Sequence, residues 1–266
     1  MIDERAKLIE SAAECLGQNT KPILARLVEC DGGDWYLREK IVKAPDRERV
    51  RDNSRVLKYA AHFEANGGKI TFVRERSGRT PDLEVGVAEC KFYMEVRHFR
   101  MSEEDASSGQ ASRIVDVVTK KKRQLPPSQI GFVAIENSDL RLESSDEDDL
   151  THDHIVEGLC EIQRLATSNP DGWRQPSGVI VAAMSTWETA VSEPPHFVWI
   201  NRDGECRPPA QLVEWLLSSL PSSRLSKAPN ECSAGGEAGM PPRPPTFTPD
   251  SSLRSERQKQ FRGEVT

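Results

Sequence analysis

The amino-acid sequence predicts an α/β protein: a mixed central sheet with an antiparallel meander, flanked by helices on both faces, an N-terminal helical elaboration and a disordered C-terminal tail. Three observations predict it. Short segments rich in β-branched and aromatic residues follow one another between Lys69 and Val96. Two nearly continuous apolar runs, GFVAIE (Gly131 to Glu136) and GVIVAAM (Gly178 to Met184), have the composition of strands covered on both faces. Between and after these segments the apolar residues return to helical spacing.

Taken in order, Ile9, Ala12, Ala13 and Leu16 recur at helical spacing, and Ile23, Leu24, Leu27 and Val28 repeat it, so residues 1–53 read as the helical elaboration. Ser54 is a good N-cap and opens the core, residues 54–220, with a helix through VLKYAAHFEA to the stop Asn66-Gly67-Gly68. KITFVRE (Lys69 to Glu75), DLEVGV (Asp82 to Val87) and KFYMEV (Lys91 to Val96) are separated by Ser77-Gly78 and the Ala88-Glu89 turn, and form the meander. Helical spacing returns over Ser112 to Leu125, Leu150 to Ala166 and Leu212 to Leu220, interrupted by GFVAIE, GVIVAAM and FVWI (Phe197 to Ile200).

From Pro221 the composition shifts to Ser, Pro and Gly, with seven of the eighteen prolines, and offers no periodic apolar residues for a core. Residues 221–266 therefore predict a disordered tail. Its PPRPP segment favours polyproline II, which makes it a candidate contact for a protein partner.

The composition bounds the function. At 266 residues one core should dominate. The N-terminus MIDERAKLIE carries charges where a signal peptide needs an apolar stretch, and no run approaches a membrane span, so a cytoplasmic protein with no membrane partner is expected. The six cysteines are scattered singly without C-x-x-C, which argues for reduced thiols and against a zinc site. A net charge of −6 argues against a surface that coats nucleic acid nonspecifically, while leaving room for a local basic groove.

The chemistry-bearing residues are Asp82, which opens the second strand after Pro81, and Glu95, set between Met94 and Val96 in the third. If these strands pair as a hairpin, both carboxylates reach one edge. Facing carboxylates repel, and a hard divalent cation relieves that cost, typically Mg²⁺ with several retained waters, or Mn²⁺. The competing reading of Asp82 is an ordinary turn residue. Glu95 demands a metal or a cationic partner, since an unpaired carboxylate among apolar neighbours is costly.

The segments FEANGGKITFVRERSGRTPDLEV, FYMEVRHF, the helix ending KKKRQLP and the strand GFVAIE resemble the PD-(D/E)xK, or restriction-endonuclease-like, nuclease superfamily. The resemblance covers the central third of the chain. Pro81-Asp82 matches the family's Pro-Asp, Glu95 its second acid, and Glu64 an acid in the preceding helix. It implies hydrolysis of phosphodiester bonds with Mg²⁺ or Mn²⁺, with DNA ahead of RNA as substrate, and Asp82, Glu95 and Glu64 as metal ligands. The pattern departs at the family's lysine, where this chain has Arg97, always charged and unable to act as a base. Arg97 keeps the capacity to stabilise negative charge on phosphorus. A relocated lysine is offered by Lys121, which shares one helical stripe with Ile114, Val118 and Leu125; the other reading is that its stem lies on the stripe while its ammonium reaches water. Against the nuclease stands a second class, a catalytically degenerate nuclease fold that serves as a nucleic-acid-binding or protein-interaction module.

The remaining candidates have plainer readings. His98 suits a base near neutral pH or a structural hydrogen bond. Asp146 to Asp149 with His152 and His154 match no calcium loop and read as a loop and acidic helix start. Lys120 to Arg123 read as a solvated basic helix end with the option of touching phosphate.

Overall fold

A computed structural model describes residues 4–74, 80–99, 109–137, 147–182, 196–220 and 223–225. The chain divides into units 1–232 and 233–266, and all described residues belong to the first. Apart from 223–225, the predicted tail lies outside them.

The N-terminal region folds as α1 (Glu4–Leu16), α2 (Lys21–Leu27) and a short α3 (Gly33–Tyr36) that runs into a π-helical turn over Leu37–Val42. The long helix α4 (Arg47–Ala65) follows, and it stops at Asn66 and Gly67, where φ of +81° is reached without steric cost by glycine. Next come β1 (Lys69–Phe72), β2 (Leu83–Val87), β3 (Cys90–Phe99), α5 (Gln110–Lys121), β4 (Gly131–Asn137), α6 (Glu147–Ser168), β5 (Gly178–Ala182), β6 (His196–Ile200), α7 (Ala210–Ser219) and β7 (Arg224–Leu225).

The strands form one mixed sheet in chain order, β1 through β7. β1, β2 and β3 make the antiparallel meander, while β3, β4 and β5 run parallel. The helices α5 and α6 supply the crossovers that parallel neighbours require. β6 then returns antiparallel to β5, and β7 pairs parallel with β6.

Alternation along each strand sorts the side chains into two cores. Phe92, Met94, Val96, Phe132, Ala134, Ile180 and Val198 meet Leu57, Tyr59, Ala60 and Phe63 of α4, together with residues of α1, α2 and α7. Val133, Ile135, Val179, Val181, Phe197 and Trp199 face the other way, onto Ile114 and Val118 of α5 and Ile155, Leu159, Ile162 and Ala166 of α6. Both faces are thus covered, as the continuous apolar runs of β4 and β5 require.

Three details differ from the sequence expectation. The third helix begins at Arg47 under Asp46, whose Oδ1 accepts from Arg49 N at 2.7 Å, so the border drawn at residue 54 falls inside α4. Ser54 is no cap because its hydroxyl donates back to Arg51 O at 2.7 Å, an intrahelical alternative open to serine. The predicted tail contributes β7 to the sheet edge. Cys160 on α6 takes part in a disulfide whose partner lies outside the described residues, whereas Cys15, Cys30, Cys90 and Cys206 are free thiols. Isolated cysteine spacings carry no information on such a pairing. Among the described residues no helix is long and apolar enough to cross a membrane.

Candidate functional site

The hairpin of β2 and β3 sets the site. Leu83 pairs with Met94, the amide of Asp82 donates to Met94 O at 3.0 Å, and Val96 N–H donates to Asp82 Oδ2 at 2.8 Å, so the carboxyl of Asp82 is held beside Glu95. Odd-numbered β3 residues point toward α5, because their even-numbered neighbours Met94 and Val96 fill the core under α4. Glu95 is therefore buried, 1% exposed, beneath the C-terminal turn of α5.

Two cations meet Glu95 at one oxygen. Arg97 Nε, two residues along the same strand face, lies 3.0 Å from Glu95 Oε1. Lys121 Nζ lies 3.3 Å from the same atom and donates to Gln124 Oε1 at 3.1 Å. Lys121 reaches this place because Ile114, Val118 and Leu125, on its own stripe, are buried in the second core and turn that face of α5 onto the sheet. Asp82 is tied down by a different contact, the Val96 amide.

The electrostatics follow from this burial. Burial, reinforced by the charge of Asp82, pushes the Glu95 carboxyl up to about 8 against the pull of Arg97 and Lys121. Burial also raises Asp82, opposed by the Val96 amide, by Arg97, by a hydrogen bond with Glu95 and by Lys121. The two acids behave as one coupled pair that retains a proton near neutrality. Lys121 is drawn below the usual lysine range, first by burial and then by Arg97.

The other predicted residues are placed elsewhere. Glu64 does not join the pair: it sits in the last turn of α4, the helix covering the opposite face, and its Oε2 lies 3.0 Å from Arg26 Nε of α2. His98 projects away from Glu95, with Nδ1 3.1 Å from Asp52 Oδ1 of α4. Lys120 and Arg123 are exposed, while Lys122 stands 3.7 Å over the Trp173 ring. His154 Nδ1 lies 3.7 Å from Glu157, and the side chains of Asp146 to Asp149 and His152 lie outside the described set.

A second buried carboxylate escaped the sequence reading. Glu136 near the end of β4 is fully buried under α4, where Arg55 donates to its Oε2 and Lys58 Nζ approaches its Oε1 at 3.9 Å. The signal was present in GFVAIE, since a glutamate ending a doubly covered apolar run requires a cation.

Among the described residues no group of three or more His, Cys, Asp or Glu gathers as a ligand cluster. A carboxylate pair, one member buried and both disfavoured as anions, matches the sparse all-oxygen set with which Mg²⁺ or Mn²⁺ is held, the rest of the sphere being water or substrate. Compared with protein-family models, with curated proteins and with solved structures, the chain matches none.

Proposed function

We propose that the chain is a metal-dependent nuclease that hydrolyses phosphodiester bonds, in DNA ahead of RNA, with Asp82 and Glu95 holding Mg²⁺ or Mn²⁺. The observation that carries this reading is the meeting of Lys121 Nζ with Glu95 beside Asp82, two acids and a compact ammonium at one place on the sheet. The order helix, three-stranded meander, helix, strand, given by α4, β1 to β3, α5 and β4, supports the resemblance to the PD-(D/E)xK superfamily. Lys121 then stands in from the helix for the lysine that Arg97 replaces on the strand.

The roles follow from the chemistry of each group. A bound divalent cation would polarise the phosphodiester and lower the pKa of its water. Asp82 and Glu95 supply hard oxygen ligands. Lys121, pulled toward deprotonation by burial, can orient a water and exchange a proton at Nζ. Arg97, its side chain 42% exposed, offers a planar donor fork to phosphate oxygens from the solvent side.

The Arg97–Glu95 ion pair favours the second reading, a degenerate fold that binds without cutting, because a cation already answers a would-be ligand. Incubation of the full chain with single- and double-stranded DNA and RNA, in Mg²⁺ and in Mn²⁺, separates the two. Cleavage by the wild type that disappears in Asp82→Ala supports the enzyme. Intact substrate of every form in both metals rejects it.

A further inference from the structure

We infer that Arg97 is a displaceable counterion: in the metal-free chain it occupies the charge position of a divalent cation at Glu95, and it leaves for a substrate phosphate when that cation binds. The inference rests on the metal-site reading above and deepens it by assigning the coupling between cation and substrate.

The geometry distinguishes the two cations that share Glu95 Oε1. Lys121 comes from the covering helix, its side chain is 21% exposed, and a second hydrogen bond to Gln124 holds it in place. Arg97 is 42% exposed, and among the described residues its guanidinium is fixed to the site by the ion pair with Glu95. The Arg97 end of this pair is half-solvated while Glu95 is buried, so the guanidinium can return to water once another cation answers the carboxylate. Of the two cations, Arg97 is the one free to move.

Charge balance supplies the reason to move. Asp82 and Glu95 face Arg97 and Lys121, so the acids bring at most two negative charges against two positive ones. With a divalent cation bound, the same cluster would carry at least two excess positive charges close together, and repulsion acts on the mobile partner first. Arg97 then presents an unpaired guanidinium beside an electropositive centre. An anion with planar oxygen pairs, the phosphodiester of a nucleic acid, satisfies both. Cation and nucleic acid should therefore bind with positive cooperativity that passes through Arg97.

The test is Mn²⁺ calorimetry on the full chain with Arg97→Gln and Arg97→Met, beside Arg97→Lys, which keeps the charge. The neutral variants should bind Mn²⁺ tighter than wild type by about tenfold, because a competing charge is removed, and Arg97→Lys should stay near wild type. Binding of a fluorescein-labelled DNA duplex in Ca²⁺ and in EDTA gives the second readout. Wild type should bind better with Ca²⁺, and the neutral variants should lose that gain. Unchanged or weaker Mn²⁺ binding in folded neutral variants, with wild type binding Mn²⁺ normally, overturns the role of Arg97 and leaves the metal site standing. If wild type and variants alike bind no Mn²⁺, the metal site and this inference fall together.

Discussion

Lys121 of α5 and Glu95 of β3 meet at 3.3 Å, a cation from the covering helix closing onto a buried carboxylate of the strand beneath it. If Lys121 takes the role that the nuclease resemblance assigns to position 97, Lys121→Ala should lower single-turnover cleavage by roughly 100-fold or more. Mn²⁺ binding should persist, since both carboxylates remain. Lys121→Arg should not restore the rate, because a guanidinium does not release its proton. A Lys121→Ala variant that cuts like wild type removes Lys121 from the mechanism.

The acid pair also predicts how stability depends on pH without metal. Glu95 is raised to about 8 in the folded chain, so between the usual carboxyl value near 4.5 and 8 the native state holds a proton that the unfolded chain releases. Stability from this group is full below the unfolded value and is lost as pH rises through the folded one. Thermal unfolding in EDTA should therefore show a melting temperature that falls from pH 5 to pH 8. Glu95→Gln should flatten that slope. A wild-type profile that rises over this window contradicts the burial assigned to the pair.

On the opposite face, Glu136 and Arg55 should be energetically inseparable. Removing one partner strands a buried charge, so Glu136→Leu or Arg55→Met alone should cost about 3–5 kcal/mol in denaturant unfolding. The double substitution should recover most of the loss. Additive losses in the double variant would show that the pair is not coupled.

The hairpin that aligns Asp82 with Glu95 turns through Ala88, whose φ is +51°. A residue with a Cβ is strained there by about 1 kcal/mol, so Ala88→Gly should stabilise the fold by a comparable amount. A melting temperature lowered by the glycine would mean the turn adopts another conformation.

The meander and the two buried runs were legible because β-branched composition and two-residue alternation act locally. The start of α4 was misread for an equally local reason: Ser54 has a capping side chain, yet its hydroxyl bonds within the helix while the cap is Asp46, eight residues earlier. β7 is two residues long and has no period to read. At the site, the stripe Ile114, Val118, Lys121, Leu125 marked Lys121 as facing the sheet, but the direction of its ammonium depended on Glu95 lying beneath it. Glu64 lies in the last turn of its helix, and nothing in its neighbours in sequence announces that Arg26 claims it. Glu136 is marked by the apolar run it ends, but its partner Arg55, 81 residues away along the chain, is not announced by anything local.

The central claim is that Asp82 and Glu95 form one cation site. Its most direct test is Mn²⁺ titration calorimetry on wild type, Asp82→Ala and Glu95→Ala, each first shown to be folded by circular dichroism. The account predicts saturable binding by wild type and its loss in both variants, because one carboxylate alone supplies too few strong oxygen ligands. Mn²⁺ affinity that is unchanged in both alanine variants would contradict it.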